Sequence, residues 1–370
     1  MLTLAVGSLG RLVPRDQSTE VTAATLNAGA RALMAWALTR RDDRHAPPGM
    51  LPYPDRHADG NYDSLADCPP NLGTAITNHA LRLGRLPVAG EPIGTPCEGE
   101  DFGTGRRAML EFDARDGNGD ALWYAVSQNL LDDTRSRQYQ GAIHGHRALT
   151  PAALRSPAAS QQWLTICDAA GNLLSTDAAF VLISPGVPLA HQNRTTTAPG
   201  PGAFLDTLSL PAGTSPCRGS INHAASPRIF VAAPRQDRFN DTLIYISSQQ
   251  FIDQLVVRAI GSFRSEIDRA AAIHPATGYP HPAAIHGGNC DPTIDAGFLP
   301  LRDQGSCAGL AGWPRWDAHD DPTSWYASLH YRRVSHTEAH LSVVGCNDVF
   351  VLRRHAHARI STLSRTTKRC

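Results

Sequence analysis

The 370-residue chain predicts an α+β fold. Two units, each a long helix packed on an antiparallel sheet, follow in tandem, and disulfides staple their loops. Three observations predict it. First, two amphipathic helical stretches each run into a Pro-rich turn. Second, an ordered series of landmarks occurs twice. Leu51-Pro52-Tyr53-Pro54, Cys68, Arg85-Leu86-Pro87, Cys97, Trp123-Tyr124-Ala125-Val126-Ser127 and Cys167 come first. Tyr279-Pro280-His281-Pro282, Cys290, Phe298-Leu299-Pro300, Cys307, Trp325-Tyr326-Ala327-Ser328 and Cys346 repeat the order with shorter spacing. Duplication followed by loop trimming leaves such a pattern. Third, the eight cysteines form an even set without Cys-x-x-Cys spacing. That argues against zinc ribbons and thioredoxin-like sites and fits an oxidising compartment. The repeat divides the chain into a residual segment 1–17, a first unit 18–226 and a second unit 227–370.

The elements follow in order. Residues 18–40 read as a helix, with Asp16 or Ser18 as its cap and Leu26, Ala30, Leu33 and Ala37 as its apolar stripe. Pro47 and Pro48 close it. Residues 49–111 are turn-rich. Strands are expected at 121–128, 163–167 and 178–184, forming an antiparallel meander against the helix. Residues 195–226, rich in Thr, Pro, Gly and Ala, read as a surface loop held by Cys217. Strands at 228–232 and 241–247 precede a second helix at 248–272, where Phe251, Leu255, Ala259, Phe263 and Ile267 recur every four residues. A second Pro- and Cys-rich loop leads to strands at 324–331, 339–344 and 348–352, then a basic tail.

The repeat also suggests how the cysteines pair. Cys68 with Cys97 and Cys290 with Cys307 would be equivalent bridges, and Cys167 with Cys217 and Cys346 with Cys370 complete the set. The formal net charge is zero, which argues against binding nucleic acid or anionic membrane through bulk charge. Residues 1–14 are too short and too weakly apolar for a membrane span or a secretory signal. The expectation that reconciles this with exported cysteines is a leader lying upstream of Met1.

The ordered series resembles the type IV pilin and type II secretion pseudopilin superfamily, specifically its large minor-pilin-like members. The resemblance begins in the helix from Thr22 to Leu38. It continues through Gly49-Met50-Leu51-Pro52-Tyr53-Pro54-Asp55, Gly84-Arg85-Leu86-Pro87 and the strand Trp123-Tyr124-Ala125-Val126-Ser127. Ser184-Pro185-Gly186, His191-Gln192-Asn193-Arg194 and Phe239-Asn240-Asp241-Thr242 extend it. It implies a non-enzymatic subunit of the bacterial cell envelope, periplasmic or extracellular, whose partners are other pilin or pseudopilin subunits. The family's leader and apolar anchor, with its early Glu, are not matched here, so the membrane would be met only through an upstream segment. The helices would form a spine and the loops 49–111 and 278–320 would be displayed.

Two rival readings come from other classes. Asp55, Asp59, Asn61, Asp63 and Asp67 crowd around Gly60, and oxygen ligands at alternating positions suit calcium. That cofactor would fit an exported calcium-dependent adhesin; plain Asx turns explain the same residues. Asp113, Asp116, Asn118 and Asp120 form a second such cluster. His336, Glu338 and His340 would be the ligands of a His-metal hydrolase, although the zincin motif places Glu directly after its first His. No Gly-x-Ser-x-Gly elbow, Walker loop or dinucleotide fingerprint occurs. No catalytic residue is therefore assigned.

Overall fold

The computed structural model describes residues 17–39, 48–56, 61–67, 82–89, 110, 112–131, 149–195, 199–208, 217, 222, 228–302, 307, 309–310, 312, 314, 324–355, 360–366 and 370. Cys68, Cys97, Asp59 and Asp16 lie outside the described residues. The fold is α+β. Its helices are α1 (Gln17–Thr39), two single turns α2 (Pro151–Leu154) and α3 (Pro157–Ser160), and α4 (Ser248–Ile273). Its strands are β1 (Leu83–Arg85), β2 (Trp123–Val126), β3 (Leu164–Asp168), β4 (Leu173–Ser184), β5 (Ile229–Ala232), β6 (Thr242–Ser247), β7 (Ala296–Gly297), β8 (Leu329–Arg333), β9 (Glu338–Val343), β10 (Val349–Arg353) and β11 (Thr362–Arg365). No helix among the described residues is long and apolar enough to cross a membrane.

The expected stripe of α1 is the buried one: Leu26, Ala30, Leu33 and Ala37 face inward with Thr22 and Gly29. A Cβ at Gly29 would come 2.9 Å from Leu182 Cδ1, so glycine lets α1 lie close on β4. Helix α4 begins with a capping box. Ser247 Oγ accepts from Gln250 N at 3.2 Å and Gln250 Oε1 accepts from Ser247 N at 3.0 Å. Its buried set is wider than one stripe: Ile260, Glu266, Asp268, Ala270 and Ala271 join the predicted residues. The reason is position. One hydrophobic cluster contains side chains of both long helices, of β2 and β4, and of β8, β9 and β10. Burying each large side chain of this set is worth roughly 1.5–3 kcal/mol.

The first sheet runs β1-β2-β4-β3-β5, with β6 also on β4; the second runs β11-β10-β9-β8-β7. Several expectations change here. The first sheet is not a pure antiparallel meander, because β3 and β5 pair in parallel. The boundary expected after residue 226 falls inside this sheet, since β5 and β6 follow it and complete its pairing. Strand β4 starts at Leu173 because its first half pairs with β3 as a hairpin. The strand expected at 324–331 begins only at Leu329; residues 325–328 are turn, closed by Ser328 N to Trp325 O and Leu329 N to Tyr326 O. The short strands β1, β7 and β11 had no pattern long enough to read.

Two stretches of backbone are built alike. Asp55 and Arg85 exchange N–H···O bonds of 3.0 and 2.6 Å, and Ala283 and Phe298 exchange bonds of 2.8 and 2.9 Å. Each pairing lies three residues after a proline, Pro52 or Pro280, and next to a glycine, Gly84 or Gly297. A Cβ on Gly84 would collide with Asp55 O, and one on Gly297 with Ala283 O. Gly84 pairs with Tyr124 and Gly297 with Tyr331. The Tyr124 hydroxyl donates to Pro52 O at 3.3 Å, and the Tyr331 hydroxyl to Pro280 O at 2.9 Å. Tyr331, and not Tyr326, therefore makes the bond that Tyr124 makes.

Candidate functional site

The acidic loop comes first. Asp55 is buried and accepts from Ser64 N at 2.8 Å. Asp67 accepts from Arg56 N at 2.6 Å, and Arg56 also reaches Asp67 O at 2.8 Å. Asp63 Oδ1 accepts from Leu65 N at 2.8 Å, a local Asx turn. Asn61 sits at the start of this segment. These carboxylates hold the loop's own backbone. No three His, Cys, Asp or Glu side chains converge as a metal set among the described residues.

The second acidic cluster is a docking turn. Asp116 Oδ1 accepts from Asn118 N and Asp120 N at 2.9 and 3.0 Å, and its Oδ2 accepts from Ser184 Oγ. Gly119, at φ +86, closes the turn. Gly117 N donates to Thr22 Oγ1 at 3.0 Å and Ser18 Oγ donates to Asn118 at 3.0 Å, which ties the turn to the start of α1. Ser18 is thus used inside the helix as a tether.

The densest polar site is one that sequence reading only touched. Arg194 donates to Asp120, to Gly186 O at 2.9 Å, Pro185 O at 3.2 Å, Ala203 O at 3.3 Å, Phe204 O at 3.3 Å and Gln192 Oε1 at 2.8 Å. Gln192 Nε2 donates to Phe204 O and to Asp206 Oδ1, both at 2.7 Å. Asp206 Oδ2 accepts from Asn240 N, and Asp206 N donates to Asp241 Oδ2 at 2.9 Å. Asn222 donates to the same Asp241 oxygen at 3.1 Å and accepts from Val231 N at 2.7 Å. Asp206 and Asp241 are 0 % and 2 % exposed. Burial pushes Asp241 up to about 7, and the Asp206 charge pushes the same way. Asp206 is raised too, again by burial, against the opposing Asn240 N–H.

Residues 195–226 are therefore not simply a surface loop: Phe204, Leu205, Asp206, Cys217 and Asn222 are buried. The Thr/Pro/Gly content hid them. The available signal was an acid set among apolar neighbours, Phe204-Leu205-Asp206, in a stretch otherwise free of them.

Glu338 and His340 lie side by side on β9. Glu338 takes His340 Nε2 at 3.0 Å and Arg353 Nε at 2.9 Å, and both contacts lower its pKa, Arg353 foremost. His336 sits in the preceding turn and is exposed. The segment is an extended strand, not the helix a zincin site needs. Trp123, Tyr124, Trp325 and Tyr326 are all fully buried, so they fill the interior rather than a recognition surface. An open groove of about 540 Å³ borders β6 and α4, lined by Tyr245, Ser247, Gln249, Gln250 and Asp253. Asp253 there accepts from Arg365 at 3.1 Å and Cys370 N at 2.6 Å.

Three disulfides are formed among the described residues: Cys167–Cys217, Cys290–Cys307 and Cys346–Cys370. They are pairs that the repeated landmarks suggest. No protein-family model, curated protein or solved structure matches the chain.

Proposed function

We propose that the chain is a non-enzymatic, minor-pilin-like or pseudopilin-like subunit of a bacterial cell-envelope filament, built from two related units. One observation carries the reading. A long helix, a proline carbonyl that accepts a tyrosine hydroxyl, a glycine against a carbonyl, and a run of antiparallel strands occur in that order twice. By register, β1, β2, β4 and β6 correspond to β7, β8, β9 and β10. The three disulfides favour an oxidising compartment. Asp55, Asp63 and Asp67 hold the backbone of their own loop, Asp116 and Asp120 tie a turn to β4 and Arg194, and Glu338 pairs with His340 and Arg353, which supports a scaffold reading. In this reading the partners are other pilin or pseudopilin subunits.

The test uses the full-length gene product in its native host. Cells are fractionated after thiol blocking, and sheared surface filaments and membranes are probed for the protein. The expected result is an envelope protein without blockable thiols that co-purifies with a filament or its assembly platform. Recovery in the cytoplasm with reactive cysteines would overturn the proposal.

A further inference from the structure

The outer face of the first sheet is apolar and covered. Trp123, Ala125, Val181 and Ile183 pack there with Phe204 and Leu205 of the segment 199–208, and with Tyr62 and Tyr245 at the margin. Phe204 lies 5.5 Å from Trp123, ring to ring. Most of the polar contacts described for this segment belong to the buried hub, and Arg194 also donates to Ala203 O at 3.3 Å. Gln192 and Arg194 donate to Phe204 O, Asp206 N donates to Asp241, and Asp206 accepts from Asn240 N and Gln192. Tyr62 adds a bond to Pro199 O at 3.1 Å.

The charges in the hub do not balance. Four carboxyl groups meet there: Asp116, Asp120, Asp206 and Asp241. Asp120 has Arg194, and Asp116 has Ser184 Oγ and two backbone N–H groups. Asp206 and Asp241 are left adjacent and buried; their hydrogen bonds come from amide donors, and the Arg194 charge opposes burial at both without pairing with either. Arg85, stacked 4.9 Å over Phe204, lies toward Asp120. His191 is 3.9 Å from Asp206 and half exposed. Arg235, Asp237 and Arg238, on the neighbouring loop, are exposed. Asp241 Oδ1 has no hydrogen-bond partner among the described residues.

We propose that the segment 199–208 is a proton-held strap, closed while the Asp206–Asp241 pair carries one proton and released from the apolar sheet face when that proton is lost. Two buried carboxylates side by side resist ionising together. The sign follows from linkage. The closed form holds Asp241 near 7, far above the ordinary aspartate value it regains when exposed. Closure is therefore fully favoured below the ordinary aspartate range. The open population grows about tenfold per pH unit from about pH 4 upward and levels off once pH passes about 7, where both forms have lost the proton.

Hydrogen exchange of the full chain between about pH 5 and pH 9, corrected for intrinsic amide chemistry, reads the strap directly. The expected result is a progressive loss of protection in 199–208 and along β2 from about pH 5 to about pH 7 that levels off above it, with no change in the second sheet. Asp241→Asn should flatten that pH dependence, while His191→Ala should leave it in place. If Asp241→Asn does not fold, carbon NMR titration of the wild-type aspartate carboxyls decides instead. One carboxyl is expected to titrate near 7. Protection independent of pH, an Asp241→Asn variant with the wild-type slope, or all carboxyls titrating below about 5 would each overturn the proposal.

Discussion

The two sheets share a backbone lattice but treat their outer faces in opposite ways. Register places Trp123 against Ile183 and Ala125 against Val181 in the first sheet, and His330 against Ser342 and Arg332 against His340 in the second. In both sheets the alternate residues, Tyr124 and Leu182 or Tyr331 and Leu341, point into the shared core. Strand β2 is buried at all four positions, while β8 alternates between buried and exposed along its first four residues. A covered sheet reads as a continuous apolar run and a half-covered one as an alternation. The difference lies in what the connections do. Residues 199–208, between β4 and β6, fold back over the first sheet, whereas β9 and β10 are joined by a short turn, and His330 and Arg332 of β8 stay exposed.

The largest effect should come from exchanging chemistry between those faces. Val181→Asp puts a carboxylate beneath the strap with no partner, and a loss of about 5 kcal/mol is expected, read as a collapse of the denaturant midpoint. The corresponding change in the open sheet, His340→Val, should leave the midpoint within the scatter of surface substitutions. Equal losses at both positions would remove the contrast.

Phe204→Ala sharpens it from the strap's side. Phe204 is buried against Trp123 and lies beneath the Arg85 and Arg194 guanidinium groups. Truncation should cost about 3–4 kcal/mol and make Trp123 fluorescence sensitive to quenchers. A smaller loss is expected from Cys167→Ser with Cys217→Ser, about 2–4 kcal/mol. Its exchange signature should fall on the first sheet and the strap, since that bridge packs with Val231 and Phe239. Cys346→Ser with Cys370→Ser should loosen β11 and the carboxyl terminus instead.

Much of this was legible because periodicity reports burial. The stripes Leu26-Ala30-Leu33-Ala37 and Phe251-Leu255-Ala259-Phe263-Ile267 are buried as read. The run Ala178 to Ser184 is a central strand. What failed was local patterning with more than one physical cause. Trp325-Tyr326 resembles a strand start by composition, yet both rings are buried from a turn, and the Tyr326 hydroxyl donates to Leu299 O at 2.7 Å. The parallel pairing of β3 with β5 left no local trace, because the partner lies beyond the hairpin and the strap. The buried Asp206–Asp241 pair was hidden for a similar reason. A polar residue in a Gly/Pro-rich stretch reads as solvated, and only the tertiary contacts of Phe204 and Leu205 carry it inside.

The smallest predicted effect probes the likeness of the two backbone stretches most directly. Tyr124→Phe and Tyr331→Phe each delete one hydroxyl and keep the ring. Each leaves a proline carbonyl, Pro52 O or Pro280 O, without that donor. A buried neutral hydrogen bond of this kind contributes about 1 kcal/mol. Because the surrounding pairing is the same in both places, the two losses should agree within a few tenths of a kcal/mol and should add in the double variant. Burial holds both hydroxyls well above the ordinary tyrosine range, so neither variant should alter the pH dependence of stability near neutrality. Unequal losses, or strong coupling between the two sites, would mean that the matching register hides different local energetics.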